Sequence, residues 1–340
     1  SENGDYIVAG SDDDNIYLFH KDSSIPLWSY TSPGDVVSIA ISGNGEYVAA
    51  GTHPSGGAGK LYLFDNGGNL HWDTQIAGGS EGVISISFSN DGEFLVAGSH
   101  NNKVYYFDKD SSTEIWSYTT AGNVYSVAMS SDGEYIAVGT ENDKIYLFDK
   151  DSSTPSWIYT TDDHVYSVSI SADGEYIVGG SNDDKVYLFD KDSSTPSWSY
   201  STSGDVNSVS ISEDGQYVTA ASSSNKVYFF DKDSGTPLWS YSLSSSDFTA
   251  VSISADAKHI IAGSDDDKAY KFTTIWDPGL MFGSSGHLYD DNSPYDNAIN
   301  IDITDEFTAI PEFSNIMMPI VSVLAIVGFS YRRKKINQDA

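Results

Sequence analysis

The chain has 340 residues, of which 49 are acidic and 17 basic, and its formal net charge at pH 7 is −32. Nucleic-acid binding needs clustered lysine and arginine, so this charge excludes nucleic acid as a partner and disfavours contact with anionic membrane surfaces. The absence of cysteine excludes disulfides, thiolate metal sites and cysteine nucleophiles. Solubility is the simplest reason for the charge, and an acidic binding surface is the alternative.

One pattern recurs from the first residues onward, and an aromatic side chain marks the same place in its copies. That place is occupied by Tyr6, Tyr47, Phe94, Tyr135, Tyr176 and Tyr217, and by His259 in the last copy. The copies are 41 to 47 residues apart, which is typical of the blades of a β-propeller. The longest step contains the insertion HPSGGAGK (His53–Lys60), whose glycines and proline predict a surface loop.

Four short strands are predicted within one period, as the copy that begins at His164 shows. HVYSVSIS (His164–Ser171) alternates polar with apolar residues, and EYIVGGS (Glu175–Ser181) is apolar. KVYLFD (Lys185–Asp190) is aromatic and β-branched, and SWSYS (Ser197–Ser201) alternates again. Each run is bounded by Gly, Asp, Asn or Ser, as strands commonly are. A lone four-stranded sheet cannot bury both faces, so we expect the copies to stack in a ring.

The number of blades follows from counting the strands. The second and third strands of the pattern occur seven times, whereas the first strand occurs six times. The opening residues SENGDY (Ser1–Tyr6) match SEDGQY (Ser212–Tyr217), so the chain begins at the end of a first strand and reads as a fragment or trimmed product of a longer chain. We expect residues 1–272 to form an all-β propeller of seven four-stranded blades, or of eight if a blade is missing upstream. NAINIDITDEF (Asn297–Phe307) has the pattern of a first strand, and we hypothesise that it pairs beside the Tyr6 strand and closes the ring.

The repeats resemble two related propeller families. VYSVSISADGEYIVGGSNDDKVYLFD (Val165–Asp190) resembles a WD repeat in which Phe-Asp stands in place of Trp-Asp. KVYLFDKDSSTPSWSYSTSGDV (Lys185–Val206) resembles a pyrroloquinoline-quinone-type repeat, with its aromatic-Asp pair, a turn and then Trp. The resemblance covers about residues 1–272 and implies the propeller fold, but propellers host many unrelated activities. It also implies an alternative function as a quinone- or calcium-dependent enzyme that uses the central funnel, although the adjacent cysteine pair common in such quinoproteins is absent.

Six tryptophans recur, one per period, each eight or nine residues after the phenylalanine of the preceding strand: Trp28, Trp72, Trp116, Trp157, Trp198 and Trp239. They are open to two interpretations, a girdle that fills the space between neighbouring blades or a ring on which a ligand stacks. Large aromatic side chains in fixed register are effective filler between stacked sheets, so the girdle is favoured.

No catalytic constellation is found in the sequence. The seven histidines are scattered over different repeat positions, and none forms an i, i+4 pair with a nearby glutamate. The serines are assigned to turns and exposed strand faces. FDKDSS recurs at Phe107, Phe148 and Phe189, and its alternating oxygens are compatible with calcium. A turn stabilised by Asp and Ser side chains is favoured over calcium there, so no catalytic, cofactor or metal residue is assigned.

The C-terminal region differs from the repeats. Residues 273–310 are interpreted as a linker that contains the candidate closing strand, residues 311–335 as a sorting signal with a hydrophobic membrane segment, and residues 336–340 as a cytoplasmic end. The apolar run from Ile316 to Tyr331 predicts a hydrophobic helix, with a buried or amphipathic helix of the domain as the alternative. A basic block follows it and predicts that the propeller lies outside the cell: Arg332, Arg333, Lys334 and Lys335.

This terminus resembles the PEF-type C-terminal sorting signal of archaeal surface proteins. The resemblance rests on Pro311, Glu312 and Phe313, the apolar run and the basic block, in that order. It implies an archaeosortase-like membrane protease as a partner and at least transient anchoring in the membrane. The resulting expectation is an extracellular, non-enzymatic binding or structural scaffold for protein or glycan partners, with the loop His53–Lys60 as one contact candidate.

Overall fold

The computed structural model describes residues 1–53, 59–76 and 81–274, and the backbone alone of residues 275–276 and 299–301. Within these residues every regular element is a β-strand and no helix is present. The strands form seven antiparallel sheets, of which the first has three strands and the other six have four each. The prediction of an all-β chain built from repeated four-stranded antiparallel sheets is therefore confirmed.

The strands of each sheet follow one another in the chain. Sheet 1 contains β1 (Tyr6–Gly10), β2 (Asn15–His20) and β3 (Trp28–Thr31). Sheet 2 contains β4 (Asp35–Ile41), β5 (Tyr47–His53), β6 (Lys60–Asp65) and β7 (Leu70–Gln75). Sheet 3 contains β8 (Val83–Phe88), β9 (Phe94–Ser99), β10 (Lys103–Asp108) and β11 (Trp116–Thr119). Sheet 4 contains β12 (Val124–Met129), β13 (Tyr135–Thr140), β14 (Lys144–Asp149) and β15 (Trp157–Thr160).

The remaining three sheets repeat this plan. Sheet 5 contains β16 (Val165–Ile170), β17 (Tyr176–Ser181), β18 (Lys185–Asp190) and β19 (Trp198–Ser201). Sheet 6 contains β20 (Val206–Ile211), β21 (Tyr217–Ser222), β22 (Lys226–Asp231) and β23 (Pro237–Ser242). Sheet 7 contains β24 (Phe248–Ile253), β25 (His259–Ser264), β26 (Ala269–Trp276) and β27 (Ile299–Ile301).

The strands of each four-stranded sheet are named here, in chain order, the inner, second, third and outer strand. In sheet 1 the described residues supply no inner strand, so β1 is its second strand. Because neighbouring strands are antiparallel, the turns alternate between two edges of each sheet. The turns from inner to second strand and from third to outer strand form the hairpin face. The turns from second to third strand, with the connections between sheets, form the loop face.

The repeated Ser-x-Asp-Gly-x-aromatic sequence builds the turn between inner and second strands. In sheet 5, Ser171 Oγ accepts a hydrogen bond from the amide of Tyr176 at 3.0 Å, and the Asp173 carboxylate accepts one from the amide of Glu175 at 3.0 Å. Gly174 has a φ of +73°, a left-handed conformation that glycine adopts without the steric cost of a side chain. This local chemistry fixes the register of each inner hairpin.

The hydrophobic core lies between successive sheets. Ala137 and Leu147 of sheet 4, for example, pack with Val168, Ile177 and Phe189 of sheet 5 in one buried cluster. Equivalent clusters join the other consecutive pairs of sheets from 1 to 7. Sheets 2 to 6 therefore bury both faces against their neighbours, as the stacking of repeats requires.

The hypothesis that Asn297–Phe307 pairs beside the Tyr6 strand differs from the structure. Its described part, Ile299–Ile301, pairs antiparallel with β26, with Thr274 opposite Ile301 and Trp276 opposite Ile299. The cause lies in the sequence after Phe272. The earlier copies turn there at an Asp or His, whereas Thr273 and the residues after it continue the strand beyond the predicted domain end at 272 and offer a free edge.

Most of the C-terminal region lies outside the described residues. This holds for the sorting signal and hydrophobic segment assigned to 311–335, and for the cytoplasmic end assigned to 336–340. In the part of the chain that the structure describes, no helix has the length and apolar character needed to span a bilayer.

Candidate functional site on the loop face

The recurring tryptophans lie where neighbouring sheets meet. Each ring packs on a phenylalanine of the next sheet, with centroids 5.2 to 5.7 Å apart. In five of them the indole Nε1 also donates to a carbonyl in the next third-to-outer turn, as Trp198 does to Lys232 at 2.8 Å. The Trp239 Nε1 is buried with no hydrogen-bond partner among the described residues, because sheet 7 continues as β26 where the other sheets turn.

The inner strands are joined to one another through serine side chains. Ser126, Ser167 and Ser208 each accept a hydrogen bond from a backbone amide of the next inner strand, at 3.0, 3.0 and 3.2 Å. Ser38 donates from Oγ to the carbonyl of Val83 in the next sheet at 2.6 Å. The assignment of the strand serines to exposed faces was therefore wrong for the inner strands, where they satisfy amides that would otherwise lack a partner.

The hairpin face carries a second series of contacts between sheets. The amide of Ser131 donates to Ala172, and the amide of Ala172 donates to Glu213, at 2.9 and 3.0 Å. Glu2 of sheet 1 accepts from the Asn90 amide of sheet 3 at 2.9 Å. The Glu213 residue is exposed overall, but partial desolvation of its carboxyl, followed by the charge of Glu2, raises the pKa of Glu213. Glu2 therefore lies near both sheet 3 and sheet 6.

Each inner strand contains a β-bulge near its start, on the loop face. In sheet 4 the ladder passes from Val124 opposite Thr140 to Ser126 opposite Gly139, so Tyr125 is the extra residue. The same register shift occurs in all six inner strands. The extra residues differ between copies although the flanking positions are similar: Val37, Ile84, Tyr125, Tyr166, Asn207 and Thr249. Bulges commonly re-aim a side chain at a functional site.

Two of the bulge residues form an aromatic cluster with two histidines, which we call the tyrosine–histidine patch: His100, Tyr125, His164 and Tyr166. The Tyr125 and Tyr166 ring centroids are 5.2 Å apart with 33° between the planes. His164 meets both tyrosine rings at 6.2 Å, and His100 lies 6.3 Å from Tyr125. All four residues are partly exposed, so sheets 3, 4 and 5 present one aromatic surface at the loop face.

Two carboxylates hold His164 in place. Its Nδ1 lies 3.0 Å from Asp143 Oδ1 and 3.5 Å from Asp163 Oδ1, and its backbone amide donates to Asp163 Oδ1 at 2.7 Å. The potential ligand atoms of these three residues all lie within 4.8 Å of one another. Two carboxylates and one imidazole are fewer ligands than the six to eight oxygens that calcium prefers, and the imidazole nitrogen is a softer donor than oxygen. The contacts of Asp143 and Asp163 orient the His164 ring.

The aspartates of the FDKDSS turns are engaged with their own backbone. Asp108, Asp149 and Asp190 each accept a hydrogen bond from the amide two residues later, at 2.8 to 2.9 Å. The serine three residues after each aspartate likewise accepts from an amide and donates to a carbonyl within the turn. These are the contacts expected of a turn stabilised by Asp and Ser side chains.

Other loop-face carboxylates have structural roles. Asp183 accepts from the hydroxyl of Tyr187 at 2.5 Å and lies 3.8 Å from Lys185 Nζ. Burial, followed by the bond to Asp183, raises the pKa of Tyr187 well above its ordinary value. Asp13 with Tyr17 and Asp266 with Tyr270 form the same pair. These carboxylates anchor the third strand and are distinct from Asp143 and Asp163.

Several predicted site residues lie outside the described residues. They are the sorting-signal residues Pro311, Glu312, Phe313, Arg332, Arg333, Lys334 and Lys335. Of the insertion proposed as a contact loop, only His53, Gly59 and Lys60 are described. The tyrosine–histidine patch was not identified from the sequence. Comparing the copies column by column would have pointed to it, because the bulge position varies while its neighbours recur.

The stacked antiparallel sheets, their period and their Phe-Asp turns followed by tryptophan define a β-propeller of pyrroloquinoline-quinone-type repeats. Residues 1–131 and 126–264 match the family model described as outer membrane protein assembly factor BamB, and the chain belongs to that family. The predicted resemblance to quinone-type repeats is thereby confirmed. None of the curated proteins matches the chain significantly.

Proposed function

We propose that the chain is a seven-bladed propeller that acts as a non-enzymatic binding scaffold. Two observations support closure of the ring between sheets 7 and 1. Ile7, Ala9 and Phe19 point away from the core shared by sheets 1 and 2, yet they are only 4 to 7% exposed. The charge of Glu2 in sheet 1 also reaches Glu213 in sheet 6. In this ring the six recurring tryptophans are the girdle between blades.

Binding is proposed at the loop face, through the tyrosine–histidine patch, with protein or glycan partners. The observation that carries this proposal is the contrast between positions. The serines, tryptophans and hairpin residues that join the sheets recur from copy to copy. The bulge residues differ, and two consecutive copies place Tyr125 and Tyr166 side by side. Stacking requires the same contact residues in every copy of a repeat. An exposed position whose residue differs between copies is therefore available for recognition.

The binding proposal is tested with the full chain on arrays of peptides and oligosaccharides. We expect selective signals that are lost when His100, Tyr125, His164 and Tyr166 are all replaced by alanine. A matched variant alters exposed residues of the hairpin face, Asp110→Asn and Asp151→Asn, and should retain the signals. Signals that survive the patch substitutions would show that recognition lies elsewhere on the chain and would refute the patch as the binding site. Circular dichroism establishes that both variants are folded.

A location on the outer cell surface is proposed as well, with transient anchoring by the C-terminal segment and processing by an archaeosortase-like protease. Support comes from the order of Pro311-Glu312-Phe313, the apolar run and the basic block in the sequence. Protease added to intact cells should remove the propeller while sparing a cytoplasmic marker. Replacing Pro311, Glu312 and Phe313 by alanine should leave a C-terminal epitope attached to the chain. Protection of the propeller in intact cells would refute the location.

A further inference from the structure

The partner class can be narrowed from the charges that surround the patch. Three loop-face segments border it, residues 141–144, 161–164 and 182–185. They contain six carboxylates and two lysines: Glu141, Asp143, Asp162, Asp163, Asp183 and Asp184, with Lys144 and Lys185. Lys185 pairs with Asp162 at 3.0 Å, and Lys144 donates to the Thr160 hydroxyl at 3.3 Å. The surroundings of the patch therefore carry an excess of negative charge.

Aromatic rings beside carboxylates favour binding of a planar cation such as a guanidinium group. The ring quadrupole attracts cations, and a guanidinium group both stacks on aromatic rings and forms paired hydrogen bonds with a carboxylate. The side chains of Asp143, Asp163 and Asp162 are 40, 46 and 83% exposed, so their oxygens are accessible at the edge of the patch. Tyr125 and Tyr166 supply the ring surface within the same corner of sheets 4 and 5.

We propose that the patch binds a basic peptide segment, with an arginine side chain on the Tyr125 and Tyr166 rings and its guanidinium beside Asp163 and Asp162. This inference rests on the proposed function and names its partner. The net charge of −32 favours the approach of a basic segment. It gives no advantage to a neutral oligosaccharide, although sugars also stack on tyrosine. A charge-assisted contact of this kind weakens as salt rises.

The test measures binding of a fluorescent Gly-Ser peptide with several spaced arginines to the full chain. Its control is the same peptide with citrulline, which keeps the shape of arginine and lacks its charge. The arginine peptide should bind at low salt, more tightly than the citrulline peptide, and more weakly at high salt. Replacing Tyr125 and Tyr166 together by alanine should weaken binding about tenfold.

Matched variants separate a local site from the overall charge. Asp162→Asn should weaken peptide binding severalfold, whereas Asp151→Asn on the hairpin face, 79% exposed, removes the same charge and should have little effect. Val37→Ala changes another bulge residue without touching the patch and should also be silent.

Four results would overturn the inference. Equal losses of peptide affinity in Asp162→Asn and Asp151→Asn would show that the overall charge, and not a local site, causes the binding. No detectable binding of the arginine peptide would also refute the inference. Binding of neutral oligosaccharides that depends on Tyr125 and Tyr166, without peptide binding, would refute the basic partner and leave the proposed scaffold function standing. Arrays that show no signal dependent on the patch would refute both the basic partner and the proposed binding function.

Discussion

Replacing Trp198 and Trp239 by phenylalanine, one at a time, tests whether the indole hydrogen bonds stabilise the junctions between sheets. Both rings pack on a phenylalanine of the next sheet at nearly the same distance, 5.2 and 5.4 Å. The two substitutions therefore lose similar amounts of buried surface. Only Trp198 has a hydrogen bond to lose, from Nε1 to the carbonyl of Lys232 at 2.8 Å.

The expected difference follows from that one bond. Trp198→Phe leaves the Lys232 carbonyl without its partner, which costs about 1 kcal/mol in the free energy of unfolding. Trp239→Phe removes a buried donor that has no partner among the described residues. Removing it raises the free energy of unfolding by about 1 kcal/mol relative to a loss of packing alone. Trp198→Phe should therefore be less stable than Trp239→Phe by about 2 kcal/mol.

Urea unfolding followed by far-ultraviolet circular dichroism measures this difference, because that signal does not depend on tryptophan. The slopes of the two transitions must agree, so that midpoints can be compared as free energies. Equal stability of the two variants would refute the reasoning, as would a larger loss in Trp239→Phe. Either result would mean that packing alone holds these junctions together.

Three further predictions address the inner strands, the ring and the turns. Ser167→Ala should lower the free energy of unfolding by about 1 kcal/mol because the Val209 amide loses its acceptor, whereas Ser199→Ala on an exposed strand face should be neutral in the same urea assay. Glu2→Gln should lower the pKa of Glu213, measured by carboxyl-carbon nuclear magnetic resonance; an unchanged pKa would remove one of the two observations that support closure of the ring. Because the pKa of Glu213 is raised, the folded state favours its protonated carboxyl. Its contribution to the stability of the fold is present below the ordinary pKa of 4.5 and is lost as pH rises through the raised pKa. Millimolar calcium should leave the melting temperature unchanged, because the aspartates of the FDKDSS turns are bonded to backbone amides, and a rise of several degrees would contradict this.

The repeated strands could be predicted from the sequence because each has a pattern of its own and a turn on both sides. The run KVYLFD predicts a strand over Lys185–Asp190, and β18 has those bounds. The end of the last repeat could not be read in the same way. Whether Thr273 and Thr274 turn or continue depends on an edge partner, Ile299–Ile301, that lies far along the chain. Pairing between distant segments leaves little trace in local residue preferences.

The candidate site was harder to predict than the fold for a related reason. Tyr125 and Tyr166 lie in runs that alternate as strands do, so each was counted as an ordinary strand residue. The bulge that sets them apart is visible only in the pairing register, where Val165 faces Ser181 and Ser167 faces Gly180. His164 packs against both rings and is held by Asp143, a residue 21 positions away that no spacing rule would suggest.

The bulges have a consequence for how such a chain can change over time. Each inner strand has one partly exposed bulge position whose residue varies between copies, and duplication supplies that position again in every new copy. Point substitutions at these six bulge positions would therefore change ligand preference while the recurring serine and tryptophan contacts between sheets stay in place. Exchanging the bulge residues between copies would therefore change which ligands the loop face binds. These residues are Val37, Ile84, Tyr125, Tyr166, Asn207 and Thr249.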